Sequence, residues 1–291
     1  MQGEIVGGGY PPPVAKLLTL GDPRELRAAP GDPYGWPNYL RDGLGPAQIP
    51  DLIRLTRDDV FNNGDPDSRE VWGPLHAWRA LGQLRAEEAI APLLDLLSQA
   101  GEDDDWVHEE LPEVYSLIGA TAIPALAAYL ADDTRELSNR LTPATALAKL
   151  GNLHPDARDA SVAALARQLD QFADNDPELN GFLISDLIDL KATEAAPSIQ
   201  KAFDARAVDL MVAGDWDDVR VALGLFPERI QLTQPAPDGP NRLARRYGLP
   251  SLPPLPPLPP ALGSNPSRTS GALGTSGKKG GKSRKGHKKR K

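Results

Sequence analysis

Cysteine is absent from the 291 residues, which excludes disulfides, a thiolate nucleophile and any cysteine-ligated zinc site. Histidine is scarce at four, and His287 is set among the last lysines. No apolar run approaches 18 residues, so no membrane span is expected. The first nine residues hold neither a basic region nor an apolar core, so no secretory signal is expected. No stretch alternates apolar and polar residues with period two, so little or no sheet is expected. There is no Gly-x-Ser-x-Gly elbow. Gly7-Gly8-Gly9 runs into Tyr10-Pro11-Pro12-Pro13 and not into a Gly-Lys-Ser helix start, which excludes a phosphate loop. The missing thiols fit a reducing compartment, and a cytoplasmic protein is expected. The length allows one or two domains and a sizeable core.

What is present is a repeated phrase. Ala80-Leu81-Gly82 leads to Ala89-Ile90-Ala91-Pro92-Leu93-Leu94, and Leu117-Ile118-Gly119 leads to Ala122-Ile123-Pro124-Ala125-Leu126. Lys149-Leu150-Gly151 leads to Ser161-Val162-Ala163-Ala164-Leu165, and Leu187-Ile188-Asp189 to Ala195-Ala196-Pro197-Ser198-Ile199. The glycines are 37 and 32 residues apart, and Asp189 follows Gly151 by 38. Such a period marks helical hairpins too small to bury their own apolar faces alone. Helices are expected over 47–57, 68–82, 86–98, 103–118, 120–131, 136–150, 156–173, 178–190, 193–204 and 215–224. Apolar residues at 86, 89, 90, 93, 96 and 97 show the spacing of one buried face. The repeat glycine is expected to end the first helix in a left-handed conformation. The prolines at 50, 92, 124 and 197 are expected early in the second helix, where a missing N–H costs least. Asp103 to Asp105 and Asn175-Asp176-Pro177-Glu178 read as helix starts.

On this Leu-Gly plus Ala-Ile-x-Pro-x-Leu cadence, residues 45–205 resemble the HEAT-like repeat family. The likeness is to the short Ala/Leu-rich type found in phycobiliprotein-lyase-type and other bacterial proteins. The resemblance implies an all-α, right-handed α-solenoid of HEAT-like hairpins used for protein binding or assembly. Lyase activity belongs to only a few members, and no residue here carries it over. The expected order is a flexible leader (1–13), an N-terminal cap (14–44), the repeat solenoid (45–232), a Pro-rich linker (233–263) and a disordered basic tail (264–291). Tyr34, Trp36 and Tyr39 are expected to cover the open end of the stack, and Trp216 the other end. Trp72 and Trp78, six apart, do not share a helix face, so at least one belongs to the core.

Charge is divided unevenly. Residues 264–291 hold ten of the 32 Lys and Arg and no acid, which leaves a balance of −18 on the rest. Lys278, Lys279, Lys282, Arg284, Lys285, Lys288, Lys289, Arg290 and Lys291 are nine cations in fourteen residues, suited to a polyanion such as nucleic acid or a ribonucleoprotein. No aromatic interleaves them, so base stacking is not expected. A charge-balancing tail is the plainer reading. The Leu-Pro-Pro tract from Leu252 to Pro260 reads as a polyproline spacer, or as an SH3-type ligand with Arg245 and Arg246 upstream.

Asp103, Asp104, Asp105, Glu109, Glu110 and Glu113, with Trp106 among them, form an acidic stretch. It reads either as capping plus a solvated face or as a docking ridge for a basic partner, with Trp106 as anchor. The chain's own tail is one candidate for that partner. His108-Glu109 lacks the second histidine of a zinc protease because position 112 is proline, and the other histidines stand at unmatched offsets from the repeat glycines. No metal, cofactor or catalytic residue is assigned. The expected function is a non-enzymatic protein-interaction or scaffold module with a polyanion-binding tail. The alternative is a lyase-type accessory or catalytic subunit acting on a bound chromophore or protein substrate.

Overall fold

Helices form where apolar residues recur every three or four positions, and they form almost throughout. The structure is a computed structural model that describes residues 9–225; over that span it is helical and contains no strand. In order the helices are α1 (Pro12–Ala15), α2 (Ile49–Thr56), α3 (Asp59–Asn62), α4 (Gly73–Gln83), α5 (Ile90–Leu97), α6 (Asp105–Ile118), α7 (Ile123–Leu130), α8 (Leu137–Leu153), α9 (Arg158–Leu169), α10 (Pro177–Asp189), α11 (Ala196–Asp204), α12 (Leu210–Ala213) and α13 (Trp216–Ala222). Helices α4, α6, α8 and α10 touch one another in sequence, and α2, α5, α7, α9 and α11 form a second row. Contacts such as α2 with α4, α7 with α8 and α9 with α10 join the rows. Between them lie fully buried leucines, among them Leu81, Leu93, Leu111, Leu126, Leu147, Leu165 and Leu187. No helix among the described residues is alone long and apolar enough to cross a membrane.

The prolines sit as expected. Pro50, Pro124 and Pro197 are the second residues of α2, α7 and α11, and Pro92 is the third of α5. Each of these helices starts from a short 3-10 turn. The glycines do not all do what the cadence predicts. Gly119 has a positive φ of 106°, but Gly82 and Gly151 lie inside α4 and α8. Their value is closeness. A Cβ on Gly82 would stand 3.3 Å from the Val114 Cα, and one on Gly151 would stand 2.7 Å from a Leu190 methyl. The glycines let the neighbouring helices approach.

Left-handed closure falls instead on charged residues just past the ends of α4, α10 and α11. Arg85, Lys191 and Arg206 have φ of 52°, 50° and 57°. In each case the next amide, of Ala86, Ala192 or Ala207, donates back to the carbonyl of Leu81, Leu187 or Ala202. This is the Schellman closure, and Ala86 and Ala192 are buried beneath it. An L-residue there carries Cβ strain that glycine avoids. Arg85→Gly and Lys191→Gly are therefore expected to stabilise the protein by about 0.5–1 kcal/mol each, read by urea denaturation. No gain in either would show that the strain is already relieved.

The chain before α2 is a strap across the first row. Tyr10, placed in the leader by sequence, is fully buried; its hydroxyl donates to Asp58 (2.7 Å) and Arg54 lies over its ring. Trp36 and Tyr39 are buried, but with Tyr34 they lie along α4, α6 and α8 and not over the open end of the stack, the position expected from sequence. The Tyr39 hydroxyl meets His76 Nδ1 at 2.8 Å, and His76 Nε2 meets the Gly21 carbonyl at 2.7 Å. Burial pushes the His76 pKa down to about 4, so the neutral ring accepts from Tyr39 and donates to Gly21. Farther along, Gln83 bonds Asp32 and the Pro37 carbonyl, and Tyr34 bonds Ser116 on α6.

Candidate protein-binding site

The acidic stretch is built on the start of α6. Asp104 is its N-cap, and its carboxylate accepts from the Val107 amide. The first-turn charge of Asp105 complements the helix dipole. His108 fastens the loop: Nδ1 meets Thr142 Oγ1 at 2.8 Å and Nε2 meets the Gly101 carbonyl at 3.0 Å. That is a structural use of the histidine. Among the described residues no group of His, Asp and Glu is arranged to hold a metal.

The six carboxylates then divide. Asp103, Asp104, Asp105 and Glu109 are exposed. Glu110 is not part of the ridge. It turns inward, is 7% exposed and grips the Arg79 guanidinium with both oxygens, one N–O distance being 2.6 Å. It also accepts from the Trp78 indole N–H at 3.3 Å, while Trp36 stacks on Arg79. Glu113 is half-buried with Lys149 Nζ at 3.4 Å; burial pushes its carboxyl pKa up, against the pull of that lysine. Only Glu110 and Glu113 of the six have an ion-pair partner among the described residues.

Trp106 does not stand alone. Its ring meets Trp72 edge-on with centroids 5.4 Å apart, and the Arg24 guanidinium lies 5.7 Å from both rings. Trp72, Trp78 and Trp106 line one cavity of about 520 Å³, with Leu75 in its floor and Asp59 and Asp104 in its wall. Three of the chain's five tryptophans thus meet at one place. The sequence shows Trp106 as an anchor among acids, but the convergence with Trp72 and Trp78 depends on how α4 lies beside α6. Trp216 packs on Phe203 at the far end of the described chain.

The nine tail cations from Lys278 to Lys291 and the Leu-Pro-Pro tract lie outside the described residues. Compared with protein-family models, curated proteins and solved structures, the chain matches none.

Proposed function

We propose that the protein is a non-enzymatic, cytoplasmic interaction module. Its hairpins stack as a right-handed, HEAT-like solenoid that presents a surface to a protein partner, and its tail attaches to nucleic acid or a ribonucleoprotein. The two rows of helices support the architectural part of this reading. The functional part rests chiefly on one observation: exposed carboxylates with no ion-pair partner among the described residues border a tryptophan-lined cavity. Trp72 and Trp106 are partly exposed there while Trp78 is buried beneath, and partly exposed tryptophans are typical of surfaces that hold partners.

The tail part has its own test. A body with a balance of −18 repels nucleic acid, so only the tail makes that contact. The full chain should bind a single-stranded 20-mer with a log–log salt slope approaching about −6, if all nine cations engage. A truncation ending at residue 263 should lose that binding. Binding retained by the truncated chain, in a filter or anisotropy assay, removes the tail from the assignment.

A further inference from the structure

We propose that the tryptophan cavity seats an arginine side chain presented by an extended, basic peptide segment of a protein partner. This rests on the interaction-module reading and specifies its ligand. The rings of Trp72, Trp78 and Trp106 give the cavity π faces, which attract a guanidinium more strongly than they attract a neutral group. Asp59 and Asp104 bring carboxylates to the same cavity, and both residues are exposed. Such carboxylates suit the forked donors of arginine better than the point charge of lysine. Arg24, from the strap, rests its guanidinium 5.7 Å from Trp72 and from Trp106.

The surroundings favour a basic segment over a lone side chain. Asp103, Asp105 and Glu109 continue the negative charge beyond the cavity and are exposed. Flanking cations on an extended peptide would meet them. The volume of about 520 Å³ exceeds one guanidinium and its stem and leaves room for adjoining backbone. Arg79 is no competitor for the carboxylates, because it is held by Glu110.

The test uses the full-length protein and a blocked peptide, Gly-Lys-Gly-Arg-Gly-Lys-Gly, read through tryptophan emission. The peptide should shift the emission saturably. Citrulline in place of arginine removes the charge at constant shape and should weaken binding about tenfold; lysine in that place should weaken it a few-fold. Trp106→Ala should cost about tenfold or more. Asp59→Asn with Asp104→Asn should cost a similar factor while keeping α6 capped, since asparagine caps as well as aspartate. Its unchanged melting temperature would separate binding from folding. Equal affinity for the arginine and citrulline peptides, or unaltered binding by Trp106→Ala, overturns the proposal. No binding of any basic peptide, with another protein partner still held, overturns the ligand assignment and spares the interaction module. No partner of either kind overturns both.

Discussion

Asparagine in place of Asp186 should raise the free energy of unfolding at pH 8 by several kcal/mol, on the order of 5, and leave it almost unchanged at pH 4. Asp186 lies on α10, is 7% exposed, and its Oδ2 has no hydrogen-bond partner. Burial, reinforced by the charge of Asp189 and opposed by Lys149, pushes its pKa from 3.8 up to about 8. Between those values the unfolded chain has lost the proton and the folded chain keeps it. Folding then binds a proton, so stability falls as pH rises through this window by about 1.4 kcal/mol per unit. His76 acts in the opposite sense. Its folded pKa of about 4, against 6.5, means that the unfolded chain binds the extra proton between those values. Stability from that site is full above 6.5 and is lost as pH falls toward 4. From pH 4 to 6.5 the two slopes oppose each other, with the raised carboxyl of Glu113 adding to the downward one, and from 6.5 to 8 the Asp186 slope dominates. Urea titrations of the wild type should therefore change less in the lower range than in the upper one, where stability falls. Asp186→Asn should gain stability relative to the wild type increasingly as pH rises and should lose most of the fall above pH 6.5. A downward slope above pH 6.5 that survives in Asp186→Asn contradicts this account.

Arg79→Met and Glu110→Leu should each destabilise the protein by about 3–5 kcal/mol, since each strands a charge that is almost wholly buried. The pair's side chains are 8% and 9% exposed. Removing Arg79 leaves Glu110 with only the Trp78 N–H; removing the charge of Glu110 leaves Arg79 against the ring of Trp36. Replacing both together, as Arg79→Met with Glu110→Leu, should cost much less than the sum, with a coupling of about 2 kcal/mol or more. The desolvation of two ions is then avoided, and the remaining loss is the indole hydrogen bond. Strict additivity in the double-mutant cycle would mean that the pair is wetter than its burial implies.

Much of the helical fabric was legible. The 3.6-residue periodicity located the long helices, and the prolines marked where second helices begin. The glycines misled because a left-handed stop and a close approach select the same residue. What distinguishes them is the neighbour: Val114 beside Gly82 and Leu190 beside Gly151 are distant in sequence. Glu110 misled for a similar reason. It shares a helix stripe with Trp106 and Glu113, so it reads as part of one acidic face. A signal was nonetheless present at its partner. His76 and Arg79 stand in an otherwise apolar run from Leu75 to Leu81, and polar groups in such a run require buried partners. The exposed acids and Trp106 were visible directly. The cavity was not, because Trp72 and Trp78 converge with Trp106 only through packing.

The strap also sets an order of events at synthesis. Tyr34 reaches Ser116, and Lys149 lies over the Tyr34 ring. At translation speeds of about 5–20 residues per second, those docking places emerge roughly ten seconds after the tyrosine. Trp36 and Tyr39 wait less long, because their partners Arg79, His76 and Gln83 all belong to α4. Of the strap's aromatics, Tyr34 is therefore made early and secured late, and the strap cannot close fully until α8 has been synthesised.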